Sequence, residues 1–317
     1  MYLYHFGIKE LPFTLTPNTQ FFFGLPSHNE ALTVLKTALR SGEGFIKVTG
    51  EVGTGKTLVC RKLLNEMEKG FVAAYIPNPY LSPSELRHAV ANELQVNLPS
   101  TSNQQVFTQA IQEKLVEIRK KGQSVVLIID EAQALPDESI EALRLMTNLE
   151  TESAKLMQVV LFGQPELNQK IAQPELRQLR QRITFSYELS QMNADQIYQY
   201  ANHRMQVAGY SKEEALFSKS VCKKLLKASK GTPRIVNTIC HKALMLAYGE
   251  GKFTISSKLI QLAISDTEAA EPIRSNPWLA WALPAFICAI VTTRLIVHGN
   301  VGAEYKDLVS LVTEWRK

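Results

Sequence analysis

Cysteine is scarce and scattered. Cys60, Cys222, Cys240 and Cys288 stand far apart, with no CxxC pair and no Cys/His group at zinc spacing. A disulfide framework and a structural zinc site are therefore excluded as organising principles, and buried, reduced thiols are expected. No basic stretch followed by a long apolar run opens the chain, so the first residues do not read as a secretory signal. Internal repeats and low-complexity tracts are also missing, which argues against solenoid and disordered classes. Charge of neither sign dominates: the formal net charge is +5, with 21% charged residues. That mild excess permits contact with nucleic acid or an anionic membrane without demanding either. What the sequence does have is 45% hydrophobic residues over 317 positions, enough for one large domain or two smaller ones with real cores.

One long apolar run stands out, Trp278 to Val297, interrupted by Pro284, Thr292, Thr293 and Arg294. Twenty helical residues rise roughly 30 Å, the thickness of a hydrocarbon core. Two readings fit it: a single membrane anchor with Arg294 snorkelling and Trp278 and Trp281 at the interface, or a buried hydrophobic helix. The flanking Arg274 and Lys306 give no clear vote on orientation.

Periodicity divides the rest. Residues 1–40 are rich in aromatics (Phe6, Phe13, Phe21, Phe22, Phe23) interleaved with Pro12, Pro17 and Pro26, and read as turns and extended pieces packing on the core that follows. Ser27 or Asn29 is the expected cap of a helix reaching Leu39. Strands are expected at Phe45–Thr49, Phe71–Ile76, Val125–Ile129, Leu156–Phe162 and Ile183–Tyr187. Helices are expected at Lys56–Glu68, from Ser82-Pro83 onward, at Asn103–Lys120 with Val106, Ile111, Leu115 and Ile118 inward, and at Pro136–Leu149. This alternation predicts an α/β layer with a mainly parallel sheet over 41–188. Beyond Leu189 the pattern is purely helical, near Asn193–Ala208, Lys212–Ser229, Pro233–Tyr248 and Ser256–Asp266, which predicts an all-α bundle over 189–266. A linker over 267–277, the apolar run 278–297 and a short tail 298–317 complete the division.

The chemistry concentrates in two places. Gly50-Glu51-Val52-Gly53-Thr54-Gly55-Lys56-Thr57 satisfies G-x-x-x-x-G-K-[ST], follows an aliphatic strand and opens a helix with Leu58. Glycines let consecutive amides curl around phosphates, Lys56 suits the β- and γ-phosphates, and the Thr57 hydroxyl suits Mg²⁺. Mg-ATP is the expected ligand. Further on, an aliphatic run ends in Asp130-Glu131, expected on a strand adjacent to the loop strand: Asp130 to hold the metal and Glu131 to polarise the attacking water. Gln164, at the end of the strand after that, either aligns the water or is a turn residue before Pro165. Among Arg177, Arg180 and Arg182, one can serve as an arginine finger across a subunit boundary, Arg182 first and Arg180 next. Arg234, in Gly231-Thr232-Pro233-Arg234, opens a helix from which it can meet the γ-phosphate.

The loop, the Ile128–Gln133 stretch IIDEAQ, Gly163-Gln164-Pro165-Glu166-Leu167, Leu179-Arg180-Gln181-Arg182-Ile183 and Gly231-Thr232-Pro233-Arg234 together resemble AAA+ ATPases. The opening, with Pro12-Phe13, Phe22-Gly24 and His28, points the same way. Within that class the chain is similar to the bacterial general secretion pathway protein A (ExeA-like) family, which includes ATPases of mannose-sensitive haemagglutinin (MSHA) pilus biogenesis of the MshM type. The resemblance covers about residues 1–265. It implies a P-loop NTPase three-layer sandwich of AAA+ type with a helical lid, working as a homo-oligomer. By residue it implies nucleotide binding on Gly50–Thr57, magnesium and water activation on Asp130 and Glu131, a first sensor at Gln164, a finger at Arg180 or Arg182, and a second sensor at Arg234. Longer members carry a periplasmic wall-binding domain, and about 20 residues after Val297 are too few for one, which favours the pilus type. The expected role is ATP-driven assembly of a pilus or secretion apparatus with partners at the inner membrane, from a cytoplasmic ATPase domain. The alternatives are a nucleic-acid loader or transposition helper, for which Lys223, Lys224, Lys227 and Lys230 speak, and an ATP-binding scaffold.

Overall fold

The computed structural model describes residues 2–96, 104–147, 150–151 and 154–272. A short helix, α1 (Tyr2–Phe6), and a proline-rich stretch lead into α2 (Pro26–Arg40). Pro26 itself opens α2, at a position whose N–H has no helical partner anyway. The expected cap is thus unused: Ser27 is buried in the first turn, and the Asn29 amide donates to Gly24 O at 2.8 Å. Next come β1 (Phe45–Thr49), α3 (Lys56–Asn65), which stops three residues short of the expected Glu68, and β2 (Phe71–Ile76). α4 (Pro83–Glu93) starts with a reciprocal capping box between Ser82 and Glu85. In α5 (Gln104–Lys120), Phe107, Ile111, Leu115 and Ile118 are buried, whereas Val106 is 41% exposed, so the inward stripe begins one residue later than expected.

β3 (Ser124–Ile129), α6 (Asp137–Met146), a small antiparallel pair of β4 (Glu150–Thr151) with β5 (Ala154–Lys155), β6 (Met157–Gly163), α7 (Glu166–Ile171), α8 (Arg177–Arg182) and β7 (Ile183–Glu188) follow. The main sheet runs β2-β3-β6-β1-β7 with every pairing parallel. Side chains alternate across it. Val125, Leu127 and Ile129 of β3 join Leu86, Ile111, Leu115 and Leu143 on one face, while Val126 and Ile128 join Leu35, Val59 and Leu63 on the other. Covered on both faces, the central strands β3 and β6 are buried almost throughout and read as near-continuous apolar runs, whereas the edge strand β7 alternates half-buried and exposed residues. The fold is a P-loop NTPase three-layer sandwich followed by a helical region. One expectation is corrected: β3 is not adjacent to β1, because β6 lies between them. The strand ending in Gly163, just before Gln164, thereby separates the phosphate loop from the acidic pair.

The helical region comprises α9 (Ala194–Val207), α10 (Lys219–Ser229), α11 (Pro233–Gly249) and α12 (Ser257–Ser265). No helix runs from Lys212 to Ser218. The Asn202 side chain grips Phe217 through both backbone groups, accepting from its N–H at 3.1 Å and donating to its carbonyl at 3.0 Å. Phe217 is turned into the core, and Ser218 then caps α10 through Val221 N–H. The amino-terminal segment packs on this region as much as on the sandwich. Phe13 meets Phe217 edge-on at 5.6 Å, and Lys9 N–H donates to Ala208 O at 2.7 Å. The Arg204 guanidinium lies 4.8 Å over the Phe21 ring, while Arg61 of α3 donates to Pro17 O at 2.9 Å. Among the described residues no helix is long and apolar enough to cross a membrane. The Trp278–Val297 run and the tail after it lie outside the described residues.

Candidate active site

The loop between β1 and α3 is held from four sides. Gly50 N–H donates to Gly163 O of β6 at 3.2 Å. A Cβ on Gly50 would lie 2.8 Å from Thr54 Oγ1 and 3.0 Å from Leu189 Cβ, and one on Gly53 would lie 2.6 Å from Arg234 Cβ. Gly53 and Gly55 have φ of +82° and +102°, which side chains other than hydrogen resist. Behind the loop, His28 of α2 is buried, and its Nε2–H donates to Thr54 O at 2.8 Å. Burial pushes the His28 imidazole below its ordinary value, against the opposing pull of that bond. Lys56 arches back over the loop, donating to Gly50 O at 2.8 Å and Glu51 O at 3.0 Å. Burial lowers its affinity for the proton, and the nearby carboxylates of Glu131, Asp130 and Glu51 oppose that effect.

Asp130 follows β3 directly and is 2% exposed. Its Oδ2 accepts from Thr57 Oγ1 at 2.7 Å and its Oδ1 from Glu131 N–H at 3.0 Å. Burial raises the Asp130 carboxyl, with both bonds resisting. A hydroxyl and a carboxylate in contact form a small set of hard oxygen donors. That set fits magnesium, which prefers oxygen and keeps most of its shell for phosphates and water. Glu131 has φ +52°, left-handed for a residue with a side chain. Its Oε2 accepts from Gln133 Nε2 at 2.7 Å and from Gln164 Nε2 at 3.1 Å, while Oε1 has no hydrogen-bond partner among the described residues. Burial pushes the Glu131 carboxyl up, but the two amides and the Lys56 charge together carry it below the ordinary value.

The structure brings Val52, Gly53, Gly55, Lys56, Thr57, Leu58, Glu131, Gln164 and Arg234 to one cleft of about 300 Å³. Arg180 and Arg182 are not there. Both are exposed, and β7 pairs with β1 so that Ile183 lies level with Phe45, whereas the loop leaves beyond Thr49. At about 3.3 Å per residue, Arg182 is more than ~13 Å down the strand from the loop. Within one chain neither arginine serves the site.

Sequence reasoning missed the cleft's other wall: residues 14–18, Tyr200, Arg204, Pro233 and Asn237. Tyr200 Oη donates to Asn237 Oδ1 at 2.9 Å and accepts from Arg204 Nη1 at 3.0 Å. Apart from Pro233, which belongs to the Gly231–Arg234 motif, these positions carry no local motif and meet only through tertiary packing. Gln133 was visible two places after Glu131, yet nothing in the spacing alone marks it as reaching back.

Residues 39–171 match the AAA domain family. General secretion pathway protein A of Aeromonas hydrophila is 40% identical over 263 residues, covering 83% of this chain and 48% of the relative, so the chain spans about half of that protein's length. Among solved structures, the ORC2 protein of Aeropyrum pernix, with ADPNP and ADP, superposes with a TM-score of 0.59 at 14% identity, covering 81% of this chain and 73% of the other. Cdc6p from Pyrobaculum aerophilum gives 0.58 at 17% identity, covering 79% and 71%. At these identities the likeness is one of fold.

Proposed function

We propose that this chain, which has the P-loop NTPase fold and matches the AAA domain family over residues 39–171, hydrolyses Mg-ATP and couples that hydrolysis, as a homo-oligomer, to assembly of a secretion or type IV-like pilus apparatus at the inner membrane. The observation that carries the catalytic part is the 2.7 Å contact between Thr57 and Asp130, with Glu131 and Gln164 beside it. These residues, which follow β1, β3 and β6, lie together as a site for the γ-phosphate and its attacking water would require. The secretion part rests on the 40% identity to general secretion pathway protein A. The MSHA pilus, as the particular apparatus, rests on the resemblance of the motifs, and an anchor over 278–297 rests on the apolar run there.

The mechanism divides among named atoms. Amides of the curled loop and of the α3 N-terminus bind the phosphates, and Lys56 adds a cation to the β- and γ-oxygens. Thr57 and Asp130 would hold magnesium, which would offset phosphate charge. Gln164 orients the water, and Glu131 Oε1 takes its proton as the new O–P bond forms. The bond to the leaving oxygen breaks, and ADP departs with the electron pair. Arg234, exposed at the first turn of α11, extends a guanidinium toward the charge that develops, and an arginine from a neighbouring subunit does the same from the other side.

Two variants test the reading. Lys56→Ala loses tight Mg-ATP binding, measured with a fluorescent analogue. Glu131→Gln keeps that affinity and loses roughly 10²–10⁴-fold in turnover, the usual contribution of a general base. Wild-type affinity in the first, or wild-type turnover in the second, refutes the site. Strong stimulation of turnover by DNA, with full-length protein found in the soluble fraction, would replace the secretion reading by the nucleic-acid one.

A further inference from the structure

We propose that Gln133 is a positioning residue for hydrolysis: its side-chain amide ties the Glu131 carboxylate to the backbone of Gln164, leaving a single carboxylate oxygen, Oε1, to face the attacking water. The inference rests on the reading of Glu131 as the base.

Three hydrogen bonds close a ring. Gln164 N–H donates to Gln133 Oε1 at 3.0 Å, Gln133 Nε2 donates to Glu131 Oε2 at 2.7 Å, and Gln164 Nε2 donates to the same Oε2 at 3.1 Å. The chemistry of the ends fixes the direction of the Gln133 amide. A backbone N–H can only donate and an ionised carboxylate can only accept, so a flipped amide would lose both bonds at once. Oε2 is thereby occupied by two donors, and Oε1 has none among the described residues.

Several features exist to make that ring possible. The left-handed backbone at Glu131 (φ +52°) turns the chain into the short 3-10 turn Ala132–Ala134, which lets a side chain two residues later reach back. The Lys170 ammonium, from α7, donates to Gln133 O at 3.3 Å and also to Leu135 O, pinning that turn from below. A Cβ on Gly163 would lie 2.7 Å from Leu167 Cδ2 and 3.3 Å from Gln133 Oε1, so a side chain there would crowd the amide as well as Leu167. The ring therefore joins the end of β3 to the end of β6, the two neighbouring strands that deliver base and sensor. Neither Glu131 nor Gln164 needs the other's backbone to bind nucleotide. Gln133 bears on the geometry of the water step, not on the grip of the phosphates.

The test uses the full chain with Gln133→Leu and the shape-conserving Gln133→Glu, which keeps an acceptor for Gln164 N–H but supplies no donor to Glu131. Both variants are expected to lose roughly 10–100-fold in kcat, the scale of a small misplacement of a reacting group. KM and the affinity for a fluorescent ATP analogue should stay within about twofold, as should binding after Gln133→Glu if Gln133→Leu folds poorly. A double-mutant cycle with Gln164→Ala adds a second criterion: a shared clamp on one oxygen makes the double variant little worse than the worse single one. If Glu131→Gln is inactive while both Gln133 variants turn over within twofold of wild type, the inference is overturned and the ATPase reading stands. Multiplying losses in the cycle also overturn it. If Glu131→Gln retains wild-type turnover, the reading of Glu131 as the base itself fails.

Discussion

A single carbonyl, that of Thr54, joins α2 to the phosphate loop through His28. The contact has a pH signature. Burial sets the folded-state pKa of His28 below the 6.5 of a free imidazole. As pH falls below about 6.5, the unfolded chain takes up this proton first, so stability declines until the lower folded value is reached. His28→Gln keeps a donor for Thr54 but does not titrate. Its urea midpoint should therefore fall less between pH 7.5 and 5.5 than that of the wild type; equal falls would show that His28 is not held neutral. At this scale the sequence was legible where spacing itself encodes chemistry. Glycines, lysine and threonine from Gly50 to Thr57 and the pair Asp130-Glu131 are such cases. His28 and Gln133 act through partners 26 and 31 positions away, at Thr54 and Gln164, and no local pattern reports such a meeting.

At the scale of elements, β1 and β2 have the bounds their apolar runs predict, β2 being closed off by the prolines that follow Ile76. The start of α10 was not legible, since Lys212 to Ser218 has helical composition and is overruled by Asn202 gripping Phe217. Strand order was equally hidden, because chain order does not say that β6 inserts between β1 and β3. The connection from β7 into α9 depends on one glycine. Gly231 has φ +78°, its carbonyl accepts from Met192 N–H at 2.9 Å, and it would place a Cβ 2.1 Å from Met192 O. Gly231→Ala should destabilise the protein by more than the ~1–2 kcal/mol of a left-handed residue alone, because backbone must also shift. A calorimetric Tm within a degree of wild type would contradict this.

At the scale of the whole molecule, α8 ends at the foot of the sheet and the loop lies at its head. Arg180 and Arg182 are exposed there, so their use in catalysis requires a second copy. Turnover per protomer should then rise with protein concentration, and Arg182→Ala should lose about 10³-fold or more with nucleotide affinity intact. Mixing it with Lys56→Ala should restore part of the activity, because one protomer's loop meets the other's arginine. No recovery from co-assembled variants would move the role to Arg180, checked by the same mixing.

The cleft takes its walls from Thr14 at one extreme and Asn237 at the other. During synthesis the entire phosphate loop leaves the ribosome long before Tyr200, Arg234 and Asn237 do. A nascent chain therefore displays the loop residues before the strand and helices that brace and cover them, and nucleotide can reward folding only late, once the carboxyl-side helices have emerged.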